Sequence, residues 1–102
     1  MARRLERLTD LASCLEEEAQ CHVVELDVRD SSAVSEAFAT LPELFHQPDI
    51  LINNAGICPV TNLEHLTSSE WYEVFQVNLN SVWELSVSCL AMLKDSTAGR
   101  IV

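Results

Sequence analysis

The chain has 102 residues, enough for one small domain but far fewer than the roughly 250 of a complete doubly wound enzyme domain. Apolar residues make up 48% and charged residues 22%, so the composition is globular, and the net charge of −10 disfavours nucleic acid and anionic membranes as partners. No run approaches the ~18 apolar residues of a membrane span. We expect a single partial domain over residues 1–102 in a cytoplasmic protein.

The first predicted elements are a helix and a strand. Leucine and alanine recur at three- and four-residue intervals, which predicts an amphipathic helix over residues 3–19 with its acids outward. Residues 22–28 are rich in β-branched side chains and end at a polar cluster, which predicts a strand. The apolar stripe of the helix comprises Leu5, Leu8, Leu11, Ala12, Leu15 and Ala19.

A second helix and a second strand are predicted next. Asp30, Ser31 and Ser32 offer N-caps, and an apolar repeat then continues until Pro42. Residues 50–52 form an apolar run that is too short for a helix. We predict a strand there that is covered on both faces.

A long third helix is predicted over residues 67–94. Thr67 and Glu70 form a capping-box pattern at its start. After Gly99, residues 100–102 are predicted to open a further strand, and the alternation of helices and strands predicts an α/β fold with a parallel sheet. The inward stripe of the long helix is predicted to comprise Trp71, Val74, Phe75, Asn78, Val82, Leu85, Cys89 and Leu93.

Polar and small residues mark candidate sites. Asn78 lies on an apolar stripe, where it either bonds to a neighbouring backbone group or bends the helix, or else has a functional role. Ligands of open α/β sheets bind beyond the carboxyl ends of strands, so the residues after the second strand indicate a ligand cleft, with a locally hydrogen-bonded turn as the alternative. Those residues are Asn53, Asn54, Ala55 and Gly56. Asp27 also ends a strand, and because Asp30 can cap the next helix, we expect Asp27 to be free for a ligand.

The four cysteines have no Cys-x-x-Cys spacing. Cys14, Cys21, Cys58 and Cys89 are therefore predicted to be reduced thiols that are buried or half-buried. Cys21 adjoins His22, but no second close ligand pair exists in the sequence, so no metal site is predicted.

The segment Asp49-Ile-Leu-Ile-Asn-Asn-Ala-Gly-Ile57 resembles the strand-four motif of the short-chain dehydrogenase/reductase family, and Val77-Asn78-Leu79 follows at the distance seen in that family. The resemblance covers nearly the whole chain. It implies an internal fragment of a Rossmann-like doubly wound parallel sheet, with strands three, four and the start of five, lacking strands one and two and the C-terminal half. Residues 41–45 are further similar to the 3-hydroxy-acid and serine dehydrogenase branch, which uses NADP.

The resemblance also implies a function and its residues. Members of this family are NAD(P)-dependent oxidoreductases that transfer hydride between nicotinamide and an alcohol or carbonyl group. Asn78 matches the catalytic Asn that holds a water in the proton relay. Arg3 and Arg4 would follow the family's second strand and face the 2′-phosphate of NADP, which favours NADP over NAD. Cofactor contacts are thus implied for Arg3, Arg4, Asp27, Val28, Asn53, Asn54, Ala55 and Gly56.

Other features of the family are absent from these residues. The only glycines are Gly56 and Gly99, so the Gly-rich turn is missing, and Tyr72 lacks a lysine four places on. We expect a fragment that is inactive alone. The alternative is a non-catalytic truncated product or interaction module that pairs with a second copy or a full-length homologue through the helix at 67–94. Because the two intervening strands are missing, we expect a loose remnant in which the strands at 22–28 and 50–54 pair directly.

Overall fold

A computed structural model describes residues 1–60 and 62–102. It combines helices with two parallel strands, which confirms the α/β class. Within those ranges the elements are α1 (Leu5–Leu15), α2 (Ser31–Ala39), β1 (Ile50–Leu51), α3 (Ser68–Phe75), α4 (Ser81–Asp95) and β2 (Arg100–Ile101), with 3₁₀ turns at Glu43–Phe45 and Leu63–His65 and a π-helical segment at Gln76–Asn80.

The two strands β1 and β2 are parallel, with Ile50 opposite Arg100. They form the whole sheet of the described chain, so the strand expected at 100–102 is confirmed. The predicted strand over residues 22–28 is reduced to one parallel bridge, between Glu25 and Ala2. The prediction that this segment pairs with residues 50–54 is therefore wrong. Residues 22–28 pair with the N-terminal residues instead, and a single bridge gives too few ladder hydrogen bonds to define a strand.

One edge of β1 is open. Asp49 and Leu51 accept hydrogen bonds from the β2 side, and the N–H of Asn53 donates to Val102 O. Because backbone groups alternate in direction along a strand, those of Ile50 and Ile52 point away from β2. The side chains of Ile50 and Ile52 are 56% and 67% exposed. The prediction of a strand covered on both faces is wrong, since the face that carries Ile50 and Ile52 is exposed, whereas Leu51 on the other face packs against the core.

The core lies between α2, α4 and the segment before α2. Asp30 caps α2 as predicted, because its carboxylate accepts hydrogen bonds from the N–H groups of Ser32 and Ala33. The helix then ends ahead of Thr40. Its buried face packs against α4, and the main apolar cluster comprises Leu26, Val34, Ala37 and Leu85.

Helix α1 is shorter than predicted and buries none of its residues. Arg4 at its N-cap supplies no side-chain hydrogen bond, and the helix ends before the glutamates at 16–18. Acidic side chains are unfavourable at the C-terminal, negative end of a helix dipole, which explains the early end. The expected inward stripe is wrong for this helix, because Leu5 and Leu11 are 46% and 57% exposed.

The predicted long helix consists of α3, the π-helical segment and α4. The capping box is confirmed: Thr67 Oγ1 accepts from the N–H of Glu70 at 3.2 Å, and the Glu70 carboxylate accepts from the N–H of Thr67 at 2.8 Å. The π turn adds a residue and shifts the buried stripe. Trp71, Phe75 and Asn78 are exposed, contrary to prediction, and the buried residues are Val77, Ser81, Leu85, Cys89 and Leu93.

The exposure of the cysteines differs from the sequence prediction. All four cysteines are free, but only Cys89 is buried. Exposure of the other three corrects the sequence prediction. Their segments pack loosely, as the exposed face of α1 around Cys14 shows.

Over residues 1–60 and 62–102, no cluster of three potential metal-binding side chains is found. No helix in these ranges has the length and apolar character needed to cross a bilayer.

Candidate functional site

A cleft of about 1090 Å³ lies between the N-terminal residues, the segment before α2, β1 with the residues that follow it, and part of α4. These segments are far apart in sequence. The fold brings all of the residues with predicted cofactor contacts to the lining of this one cleft: Arg3, Arg4, Asp27, Val28, Asn53, Asn54, Ala55 and Gly56.

Asn53 reaches into the interior beside the cleft. Its Nδ2 donates to Ser86 Oγ at 3.5 Å, a contact that the sequence did not suggest. Its Oδ1 is buried and accepts no hydrogen bond from the described residues. Leaving a buried acceptor unpaired costs roughly 1–3 kcal/mol, so this oxygen fits a donor group that enters the cleft. This atom is the feature of the site that best fits a bound polar ligand.

Gly56 keeps open the space between the strand end and the helix. A Cβ at this position would lie 3.6 Å from Asn78 Oδ1, which is an ordinary van der Waals contact. The φ of Gly56 is not positive, so the backbone conformation does not require glycine. Alanine would therefore fit at position 56, whereas a larger side chain at position 55 or 56 would reduce access to the cleft that both residues line.

Asn78 is attached to the loop that follows β1. Its Oδ1 accepts from the N–H of Ile57 at 2.9 Å, and its Nδ2 donates to Ile57 O at 2.8 Å. The side-chain amide thus pairs with Ile57 as a neighbouring backbone peptide would, which matches the structural alternative drawn from the sequence. One N–H and one lone pair of the amide stay available for another partner, such as water.

Asp27 is not free, contrary to the prediction. Its carboxylate accepts from Arg29 Nε at 3.0 and 3.1 Å, from Arg29 Nη2 at 2.5 Å and from the backbone N–H of Arg29 at 3.0 Å. The side-chain hydrogen bonds from Arg29, followed by its backbone N–H, lower the pKa of Asp27 from 3.8 to about 2. The carboxylate is therefore charged at neutral pH.

Arg29 also contacts α3, because its Nη1 donates to Glu73 Oε1 at 2.6 Å. Sequence reasoning missed both Arg29 and Glu73. The close spacing of Asp27 and Arg29 was an available signal for the first pair. The 44-residue separation from Glu73 gave no signal for the second.

Arg3 and Arg4 follow the one N-terminal residue that pairs with the segment before α2. Ala2 donates its N–H to Val24 O and accepts from the N–H of Leu26, at 3.2 and 3.0 Å. This pairing brings the two guanidinium groups to the cleft, and the charge of Arg3 contributes to the lowered pKa of Asp27. The cleft is thus locally basic in a chain that is acidic overall.

Comparison with known proteins identifies relatives of the whole chain. The short chain dehydrogenase family model matches residues 1–102. Sulfoacetaldehyde reductase from Chromohalobacter salexigens is 35% identical over 101 residues, which cover 98% of this chain and 40% of that protein. Escherichia coli serine dehydrogenase is 28% identical with a TM-score of 0.84, covering 98% of this chain and 45% of that one.

An alcohol dehydrogenase from the archaeon Thermococcus sibiricus, solved with 5-hydroxy-NADP, is 32% identical with a TM-score of 0.87. The match covers 98% of this chain and 43% of the archaeal chain. The chain therefore spans less than half the length of these relatives.

Proposed function

Because the chain belongs to the short-chain dehydrogenase family, we propose that it forms part of an NAD(P)-dependent oxidoreductase that acts on a small alcohol or carbonyl compound. The nicotinamide cofactor supplies hydride transfer when bound. The observation that supports this most strongly is that every residue with a predicted cofactor contact lines one cleft. A turn with only local hydrogen bonds would not need those distant segments to meet.

The cleft residues have distinct proposed roles. The Asp27 carboxylate accepts from the amine of the adenine ring, beside Val28. The unpaired Asn53 Oδ1 accepts a donor from the cofactor or from an adjoining backbone, and the small residues at 55 and 56 allow the cofactor to approach.

The two arginines at the start of the chain support NADP over NAD. Arg3 and Arg4 lie on the cleft, and a guanidinium group suits the 2′-phosphate that distinguishes NADP. A serine dehydrogenase structure with NADP+ and the archaeal structure with 5-hydroxy-NADP are both similar to this chain. Together with residues 41–45, the likeness to the serine dehydrogenase structures supports the serine dehydrogenase-like branch.

Asn78 is the proposed catalytic residue. Asn78 is not among the cleft-lining residues, but its two bonds to Ile57, which lines the cleft, fix the amide plane beside it. The remaining N–H and lone pair would then hold a water that relays protons. The general acid/base and the Gly-rich turn would come from outside these 102 residues, so we propose that the chain has no activity alone. Its free thiols favour a reducing compartment such as the cytoplasm.

A second role is supported by the outer face of α3 and α4. Large apolar side chains recur there at three- and four-residue intervals, and all are exposed. We propose that this face pairs with the same helix of a second copy or of a full-length homologue. The face comprises Tyr72, Phe75, Leu79, Trp83, Val87 and Leu90.

Sedimentation velocity tests the pairing role. Trp83→Glu places a charge on the apolar face and is expected to shift the chain from dimer to monomer. Ser88→Glu, which also adds a charge at an exposed position of α4, is the control and should leave the dimer intact. A wild-type chain that is monomeric at all concentrations would contradict this role.

Titration with NADP+, followed by backbone amide chemical shifts, tests the oxidoreductase assignment. We expect shifts at residues 27–28 and 53–56. Ala55→Leu fills the cleft and should weaken binding at least 10-fold. Ala39→Leu enlarges an exposed alanine outside the cleft and should have no effect. The absence of shifts, or shifts confined to α3 and α4, would contradict the proposal.

A further inference from the structure

Arg29 lies behind Asp27 as seen from the cleft. Asp27 lines the cleft, and Arg29 is not among the lining residues. Three N–H groups of Arg29 bond to the carboxylate: the backbone N–H to Oδ1, Nε to both oxygens and Nη2 to Oδ2. Each oxygen accepts from two of these N–H groups, with Nε shared between the two oxygens, so a further donor can approach only from directions that Arg29 leaves open. The guanidinium group thereby restricts the direction from which Asp27 can accept a hydrogen bond from a ligand.

Arg29 also forms an ion pair with a residue that is distant in sequence. Its Nη1 bonds to Glu73, which lies on α3 shortly before the π-helical segment. The segment that carries Asp27 has only the single bridge of Glu25 to Ala2 as sheet pairing. The ion pair with Glu73 is thus a direct link between the end of that segment and the helix that carries Asn78.

We infer that Arg29 is a positioning residue for cofactor recognition, which fixes the Asp27 carboxylate toward the amine of adenine while Glu73 anchors the guanidinium group. The inference rests on the nucleotide-binding function proposed above. Both ion pairs are partly exposed, with side-chain exposures of 32% to 46%. Exposed pairs of this kind contribute little to stability, so the arrangement is better explained by orientation.

The test compares two dinucleotides that differ at one group. NAD+ carries the adenine amine, whereas nicotinamide hypoxanthine dinucleotide has a carbonyl oxygen there. Dissociation constants from amide-shift titrations of the full chain are expected to favour NAD+ about 10-fold in the wild type. Arg29→Met and Glu73→Ala should reduce this ratio to below about 3-fold. Arg29→Lys should reduce it as well, because lysine keeps the charge but loses the planar fork.

The ratio separates positioning from a general structural role, since misfolding would weaken both dinucleotides alike. Glu73→Ala removes an exposed side chain from a helix and keeps the test valid if Arg29→Met fails to fold. Arg7→Met, which removes a positive charge elsewhere, should leave the ratio unchanged. A wild-type ratio that persists in Arg29→Met and Glu73→Ala would overturn the inference alone. A wild-type ratio of one would overturn it together with the adenine contact proposed for Asp27. Failure of the wild type to bind either dinucleotide would overturn the proposed nucleotide function as well.

Discussion

At the residue scale, the Asn78 amide acts as a substitute for a backbone peptide. It pairs with both polar groups of Ile57, which follows the motif at the end of β1. Asn78→Leu removes both bonds, and a single hydrogen bond contributes about 0.5–1.5 kcal/mol. We predict that hydrogen exchange of the Ile57 amide becomes about 5–10-fold faster in this variant.

Asn80→Ala is the matched control for that prediction. Asn80 lies in the same π-helical segment, but its Nδ2 bonds to the Gln76 side chain and not to Ile57. Exchange at Ile57 should be unchanged in this variant. Equal exchange rates at Ile57 in wild type and Asn78→Leu would show that the amide does not hold the loop.

The Asp27 carboxylate gives a prediction for pH dependence. Its folded-state pKa of about 2 lies below the ordinary value of 3.8, chiefly because of the side-chain hydrogen bonds from Arg29. The small contribution of this exposed pair to stability is therefore complete above about pH 4 and is lost as the pH falls toward 2. Carboxyl-carbon NMR titration should show the pKa of Asp27 rising toward 3.8 in Arg29→Met but staying low in Arg7→Met. A value near 3.8 in the wild type would contradict the Asp27–Arg29 pairing.

At the element scale, the sequence predicted what local interactions determine. The cap of α2 by Asp30 and the capping box of Thr67 and Glu70 both formed as expected, because each needs only residues within one helical turn. A strand depends on a partner elsewhere in the chain. Within residues 1–60 and 62–102, the segment at 22–28 pairs only with Ala2, so its β propensity did not produce a strand.

For the candidate site too, the sequence identified residues within local motifs but not the contacts between distant elements. The residues after β1 and Asn78 were identified because a family motif occupies consecutive positions. Their contacts were not predictable in this way. The bond from Asn53 to Ser86 and the bonds of Asn78 to Ile57 join residues on different elements. The π turn that sets the position of Asn78 was not predictable from the spacing of apolar residues in the sequence.

Gly99 provides a test at the junction of α4 and β2. A Cβ at this position would overlap the carbonyl group of Leu93, whereas one at Gly56 would meet only an ordinary contact. Gly99→Ala should therefore displace β2 and speed hydrogen exchange of the Arg100 and Val102 amides, which bond to β1. Gly56→Ala is the matched control and should leave both amides protected. Unchanged exchange in Gly99→Ala would contradict the described packing.

At the scale of the whole molecule, the sheet of the described chain has only two strands, and no further strand pairs with its edges. β1 pairs on one side only in the described chain, and Ile52 remains 67% exposed. Helix α1 buries none of its residues. Cooperative unfolding depends on a continuous core, so we predict a broad thermal transition by circular dichroism, with different midpoints from helix and tryptophan signals. A single sharp transition with coincident midpoints would show that the chain is a complete folding unit.

The most direct test of the cofactor cleft is a set of intermolecular NOEs between NADP+ and the isotope-labelled chain. We expect NOEs from adenine protons to the methyl groups of Val28 and from protons nearer the nicotinamide end to the methyl group of Ala55. NOEs found only on the outer face of α3 and α4, or none at saturating cofactor, would contradict it.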